Sequence, residues 1–126
     1  MPKIFGLSWA FEPFEDEESF FTKRMFGGMA AYVHGKMVMV LMESPGDKEY
    51  RGKKFSFEIW NGILLPVERS VHQSLISEFS ILAPHPVLGK WLYLLSSETS
   101  FEDVVQQISN YIANGDDRFG ILPKVK

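Results

Sequence analysis

Between residues 29 and 43, in MAAYVHGKMVMVLME, apolar side chains occupy both parities of an extended chain, and His34-Gly35 is the one break. The pattern predicts two strands joined at that dipeptide, Met29–Val33 and Met37–Met42. Apolar residues on both parities mark the second as a central strand, covered on one face and partly shielded on the other. Upstream, Gly27-Gly28 interrupts the chain after a short segment, Thr22–Phe26, that reads as a further strand. Downstream, KFSFEIW alternates, with Phe55, Phe57 and Ile59 on one side and Lys54, Ser56, Glu58 and Trp60 on the other. Asn61-Gly62 follows at once. Both residues accept positive φ, so the pattern predicts a hairpin over Phe55–Leu65 that turns there.

After Pro66 the period lengthens. Val67, Val71, Leu75 and Phe79 align at helical spacing, Ile76 widens the stripe, and a helix over Val67–Phe79 is predicted. APHPVLG (83–89) is a proline-rich connection, and Lys90–Leu95 reads as a buried strand. A second helix, Ser100–Ala113, carries Phe101, Val104, Val105, Ile108, Tyr111 and Ile112 on its apolar face. Ser100 and Asp103 read as a short-armed capping box, and Asn114-Gly115 as the carboxyl cap. Residues 44–54 hold two Gly, one Pro and six charges, which reads as a solvated loop.

The first nineteen residues scatter Phe5, Trp9, Phe11 and Phe14 around Glu12 and the acidic run Glu15–Glu18. A short helix around Phe14–Phe21 and a strand leading into Arg24 both fit. The last segment keeps Phe119, Ile121 and Leu122, so part of it is expected to pack. Strands in a block, then a helix, a strand and a helix make an α+β order. The expected fold is one two-layer domain over residues 1–126, an antiparallel sheet of about five or six strands with helices packed on one face.

Composition narrows the chemistry. A chain of 126 residues that is 45% apolar suits one globular domain. With no cysteine, disulfides, thiolate metal sites, a Cys nucleophile and iron–sulfur clusters are excluded. Thirteen Lys and Arg against sixteen Asp and Glu give a net charge of −3, without the basic excess of a strong nucleic-acid binder. The run MVMVLM falls far short of the ~20 residues a membrane helix needs, and the amino terminus does not read as a secretory signal. A cytoplasmic protein is expected.

At KRMFGGMAAYVHGKMVMVLME (23–43) the chain resembles the amino-terminal domain of the TfoX/Sxy group. Members carry an Arg-x-Met-Phe-Gly-Gly or similar step, an apolar strand, a Gly-Lys-Met or Gly-x-Met turn and another apolar strand. Here the step is Arg24-Met25-Phe26-Gly27-Gly28, without the intervening residue. The Gly89-Lys90-Trp91 step and the tail Asp117-Arg118-Phe119-Gly120-Ile121-Leu122-Pro123-Lys124 resemble a single-domain branch of that group, so the likeness covers roughly residues 22–124. It implies the two-layer α/β arrangement shared with MmcQ/YjbR proteins and a regulatory, non-enzymatic role. No catalytic residue comes with it.

Candidate sites follow from residue type. Gly27-Gly28 lacks the Lys-Ser/Thr and the following helix of a phosphate loop, and reads as a strand break. His34, His72 and His85 have no mutual metal-ligand spacing. His72, four residues after Glu68, reads as the solvent-facing half of a helix pair. There is no Gly-x-Ser-x-Gly, so no catalytic residue, metal or cofactor is expected. Arg24, His85, Lys90, Trp91 and Arg118 are the candidate interaction residues, because Arg and Trp anchor interfaces. The leading expectation is a module acting through a protein partner or as a homodimer, on surface left exposed by Met37, Met39 and Met42. Two alternatives remain. Lys48, Arg51, Lys53 and Lys54 could give weak, salt-dependent nucleic-acid contact, and Trp91, Tyr93 and His85 could build a ligand or enzymatic pocket between sheet and helices.

Overall fold

The computed structural model describes residues 6–25, 27–44, 46 and 48–122. Eight strands form: β1 (Phe21–Met25), β2 (Gly28–Val33), β3 (Lys36–Glu43), β4 (Glu49–Tyr50), β5 (Lys53–Lys54), β6 (Asn61–Leu65), β7 (Ala83–Pro84) and β8 (Leu92–Leu95). Two α-helices, α1 (His72–Glu78) and α2 (Phe101–Ala113), join 3-10 segments at Gly6–Phe14 and Arg69–Val71. Six strands make one antiparallel sheet in the order β1-β2-β3-β6-β8-β7, and β4 and β5 pair separately. The expected α+β fold is present.

The β2–β3 hairpin turns at His34-Gly35, where φ is 54° and 80°, the pair of positive angles a two-residue turn needs. In β3 the apolar residues on both parities have a specific cause. Ala31 pairs with Met39 but Tyr32 with Met37, so Val38 is an extra, bulged residue. Val38, Met39 and Leu41 therefore enter the core beneath the helices, while Met37, Val40 and Met42 face the other way. Both faces of β3 are buried, with Met37, Met39 and Met42 at 5%, 0% and 2% exposure. The expected exposed methionine surface does not exist, because a central strand is covered on both sides.

Helices lie on one face. Leu75 of α1, Phe79 just past its end, and Phe101, Val105, Ile108 and Ile112 of α2 pack on Ala31, Leu41, Ile63, Leu65, Leu92 and Leu94 of the sheet. The 3-10 segment Gly6–Phe14 seals the same core with Ala10, Phe11 and Phe14, and Ser109 Oγ on α2 donates to the Ala10 carbonyl at 2.7 Å. Helix α2 ends in a Schellman motif, in which the Gly115 N–H donates to the Ile112 carbonyl and the Asp116 N–H to that of Tyr111.

Several local expectations are corrected. Asn61-Gly62 is not a turn: both residues lie inside β6, and residues 55–60 form an irregular crossing segment instead of a strand. The solvated 44–54 loop contains the small β4–β5 hairpin, turning at Arg51-Gly52. Helix α1 starts later than Val67, after an extended stretch and a 3-10 turn. Ser100 makes no side-chain cap bond, so the capping box does not form. The amino-terminal segment takes a 3-10 helix over Gly6–Phe14 and then enters β1, the strand alternative for Arg24. Phe5, Phe26, Pro123 and Lys124 lie outside the described residues.

Candidate functional site

The helix-free face of the sheet is apolar too, carrying Ala30, Tyr32, Met37, Val40, Met42, Leu64 and Tyr93. Two crossing segments, residues 55–60 and 85–91, cover its β6–β8 half, and a buried polar cluster pins them. The Tyr93 hydroxyl donates to the Glu58 carbonyl at 2.6 Å and accepts the Asn61 N–H at 2.8 Å. His85, 1% exposed, accepts the N–H groups of Val87 and Leu88 at Nδ1, both at 3.0 Å. Its Nε2–H therefore donates to the Ile59 carbonyl at 2.6 Å, which fixes the neutral tautomer. Burial pushes the His85 imidazole below its ordinary range and the Tyr93 phenol above its own. Trp60 packs on the His85 ring at 4.5 Å between centroids. These side chains are occupied in holding the fold together.

The β2 and β3 side chains of the same face, Ala30, Tyr32, Met37, Val40 and Met42, are buried too, and what this face leaves accessible is a cleft. The carboxyl-terminal stretch takes the position beside β3 that β6 leaves when Pro66 diverts the chain. Met37 and Ile121 exchange backbone bonds of 2.9 and 3.1 Å, and the Gly120 N–H donates to the Pro66 carbonyl. Between that stretch and the β1–β2 edge lies a cleft of about 600 Å³. Its floor and walls are Met25, Tyr32, Met37, Val67, Trp91, Ile121 and Leu122, and Glu68, Arg69 and Lys90 stand on its rim. Phe21 extends the apolar surface outward, stacked on Tyr32 with centroids 4.6 Å apart and planes 2° from parallel. Phe21 and Leu122 are the large apolar side chains left most open among the described residues, at 49% and 70%.

The sequence candidates separate into distinct places. Lys90 and Trp91 meet at the cleft. His85 is buried beneath a crossing segment, so of the Trp91, Tyr93 and His85 set only Trp91 lines the cleft, and the cleft lies on the face away from the helices. Arg24 pairs with Met29, whose side chain packs with the helix-side core, which sets Arg24 on the opposite sheet face from Trp91.

Arg118 ties the tail to α1. It bonds Glu78 and Ser74 at 3.0 Å and Asp116 at 2.9 Å. That network holds the Asp116 carboxyl below its usual range and the guanidinium above its own. Glu78 is lowered first by the Tyr111 hydroxyl and then by Arg118. His72 is not a free surface group, because its ring bonds the Lys90 carbonyl at 2.7 Å. Among the described residues no three His, Asp or Glu side chains are arranged to hold a metal, and no helix is long and apolar enough to cross a membrane.

Lys48, Arg51, Lys53 and Lys54 are all exposed on or beside the small hairpin. Arg51 lies 5.2 Å over the Tyr50 ring and Lys53 lies 5.5 Å over Phe55, while Glu49 pairs across the strands with Lys54. Sequence reasoning missed Met25, Tyr32, Met37, Arg69, Ile121 and Leu122 as cleft residues. The one local signal was Leu122, an apolar residue in a segment without periodicity. No family model matches the chain, and no curated protein or solved structure is significantly similar to it.

Proposed function

We propose that this protein is a non-enzymatic, TfoX-like interaction module that receives a partner protein in the cleft on the helix-free sheet face. The observation that carries the reading is the apolar cleft on that face. Two crossing segments, pinned by His85 and Tyr93, close one half, and the other half keeps an apolar cleft of about 600 Å³ with an aromatic floor. Residue types that anchor interfaces, Trp91, Tyr32 and Arg69, gather there, with the adaptable thioethers of Met25 and Met37 between them.

The test uses Leu122→Glu, a change on a 70% exposed side chain that leaves the core untouched. Folded wild-type and variant proteins, matched in melting temperature, are immobilised and compared for the proteins they retain. A partner kept by the wild type and lost by the variant supports the reading. Identical retention by both refutes it.

The small hairpin supports a second reading, nucleic-acid contact. It gathers four exposed basic side chains beside two aromatic rings. Charge contacts are strongest at low salt, so failure to bind single- or double-stranded nucleic acid at about 50 mM salt ends it.

A further inference from the structure

The two edges of the six-stranded sheet differ. At one end β7 has two residues, and its Pro84 carries no N–H to donate. At the other end β1 runs five residues, FTKRM, without proline, and pairs in unbroken register with β2 from Phe21↔Tyr32 to Met25↔Gly28. Among the described residues, β1 has a strand on one side only. Such an edge presents N–H and C=O groups at alternate residues, a template for a further strand.

Its side chains say which strand. Phe21, Lys23 and Met25 lie on the helix-free face, where Phe21 stacks on Tyr32 and Met25 enters the cleft. Thr22 and Arg24 point to the helix side. Lys23 and Arg24 are exposed and take part in no ion pair among the described residues. A second copy fits poorly. Two antiparallel copies of β1 related by a two-fold axis set Lys23 against itself when centred there and Arg24 against itself when centred on it, so like charges meet in both registers. An acidic strand meets opposite charges at the same positions.

We infer that β1 is the docking edge for an extended acidic segment of a partner protein, which adds to the sheet and sets an apolar side chain beside Met25 in the cleft. The inference rests on the interaction-module reading and adds the partner's chemistry and the way it is held. Affinity comes from main-chain hydrogen bonds, and selectivity from the alternating side chains. Opposite Phe21 and Met25 the segment carries apolar residues, and opposite Lys23 and Arg24 it carries carboxylates.

The probe is a capped, fluorescently labelled peptide with the core Val-Glu-Glu-Thr-Val, followed by anisotropy up to about 1 mM peptide. Four companions are measured with it: one with Gln for both Glu, one with Lys for both Glu, and two in which backbone nitrogens of one or the other parity are methylated. On the wild-type protein the Glu-to-Gln change is expected to weaken binding about fivefold, the size of two exposed cross-strand ion pairs. Methylation is expected to abolish binding on one parity and spare it on the other, because only one parity faces the sheet. The double variant Lys23→Glu/Arg24→Glu, both changes on exposed side chains, should prefer the peptide with Lys in place of Glu.

Equal tolerance of methylation on both parities overturns strand addition, and so does failure to bind at the highest concentration. A wild-type dimer in light scattering that the peptide dissociates assigns the edge to a second copy and also overturns the inference. If the peptide fails while Leu122-dependent retention persists, the edge is wrong and the cleft reading stands. If the peptide binds as described while retention ignores Leu122→Glu, the edge stands and the cleft reading falls.

Discussion

Replacing Gly62 with alanine distinguishes a turn from a close approach of strands. Gly62 lies in β6, paired with Met42 on one side and Leu95 on the other. A Cβ at this position would stand 1.9 Å from the Leu94 carbonyl oxygen, 3.0 Å from its carbon and 3.1 Å from the Ser96 nitrogen. All three are backbone atoms, so no side chain can swing away, and β8 must retreat by more than ~1 Å to restore van der Waals distance. That retreat pulls on the Ser96 N–H bond to the Asn61 carbonyl, 3.0 Å long, and on the Tyr93 hydroxyl that holds the Asn61 N–H.

Overpacking of this kind costs ~1–3 kcal/mol, and a weakened backbone bond adds about 1 kcal/mol. The stiffer unfolded chain returns roughly 0.7 kcal/mol. The expected net loss is ~2 kcal/mol, a fall in Tm of about 8 °C for a domain of this size. Urea titration of the wild type, Gly62→Ala and Gly62→Asn gives the decisive comparison. With a strand at this position the Asn variant is worse than the Ala variant, because more atoms enter the same gap. In a turn at Asn61-Gly62 the order reverses, because Asn tolerates positive φ better than Ala. An Asn variant more stable than the Ala variant, or an Ala variant within ~0.5 kcal/mol of wild type, refutes the strand geometry.

The adjacent glycines of the Met25–Gly28 step should respond differently. Gly27 has φ of 77° and open space where a Cβ would stand, so Gly27→Asn should cost under ~1 kcal/mol. At Gly28 a Cβ would lie 2.1 Å from the Leu41 oxygen, so Gly28→Ala should cost ~2 kcal/mol or more by urea titration. His85→Leu leaves the Val87 and Leu88 N–H groups and the Ile59 carbonyl without their partner, an expected loss of ~2–4 kcal/mol. Because the folded-state pKa of His85 is depressed, the unfolded chain takes up the proton first. The wild type should therefore lose stability as pH falls below ~6.5, and the variant should show a flatter pH–Tm curve in that range. Arg118→Gln removes the guanidinium that depresses Asp116. Its contribution is full above pH ~4 and is lost as pH falls through the lowered pKa, so the Tm gap between wild type and variant should shrink from pH ~7 to pH ~2.

Much of the fold was legible because its signals are local. The 3.6 period of α2 placed Phe101, Val104, Val105, Ile108 and Ile112 on the buried side, where they lie. Apolar residues on both parities of β3 marked a central strand, expected to be covered on one face and partly shielded on the other, and the structure buries both faces. Asn61-Gly62 misled for a physical reason. Glycine serves both a positive φ and a close approach, and the Leu94 carbonyl that requires the second lies more than thirty residues away. His85 was expected at an interaction surface or in a pocket, and only its three internal hydrogen bonds show that it clamps a crossing segment.

Taken alone, the sequence determined the α+β class, the β2–β3 hairpin and α2, one apolar layer of sheet and helices, the exclusion of thiol chemistry, and the adjacency of Lys90 and Trp91. Tertiary structure decided where on the second sheet face a cleft is left. It also parted Arg24 and Arg118 from Trp91 and brought Met25, Met37 and Leu122 to the same cleft. The reason lies in the range of each signal. Side-chain periodicity is set by the backbone's own repeat over a few residues, whereas covering a sheet face depends on segments distant in the chain and on the bonds that hold them there.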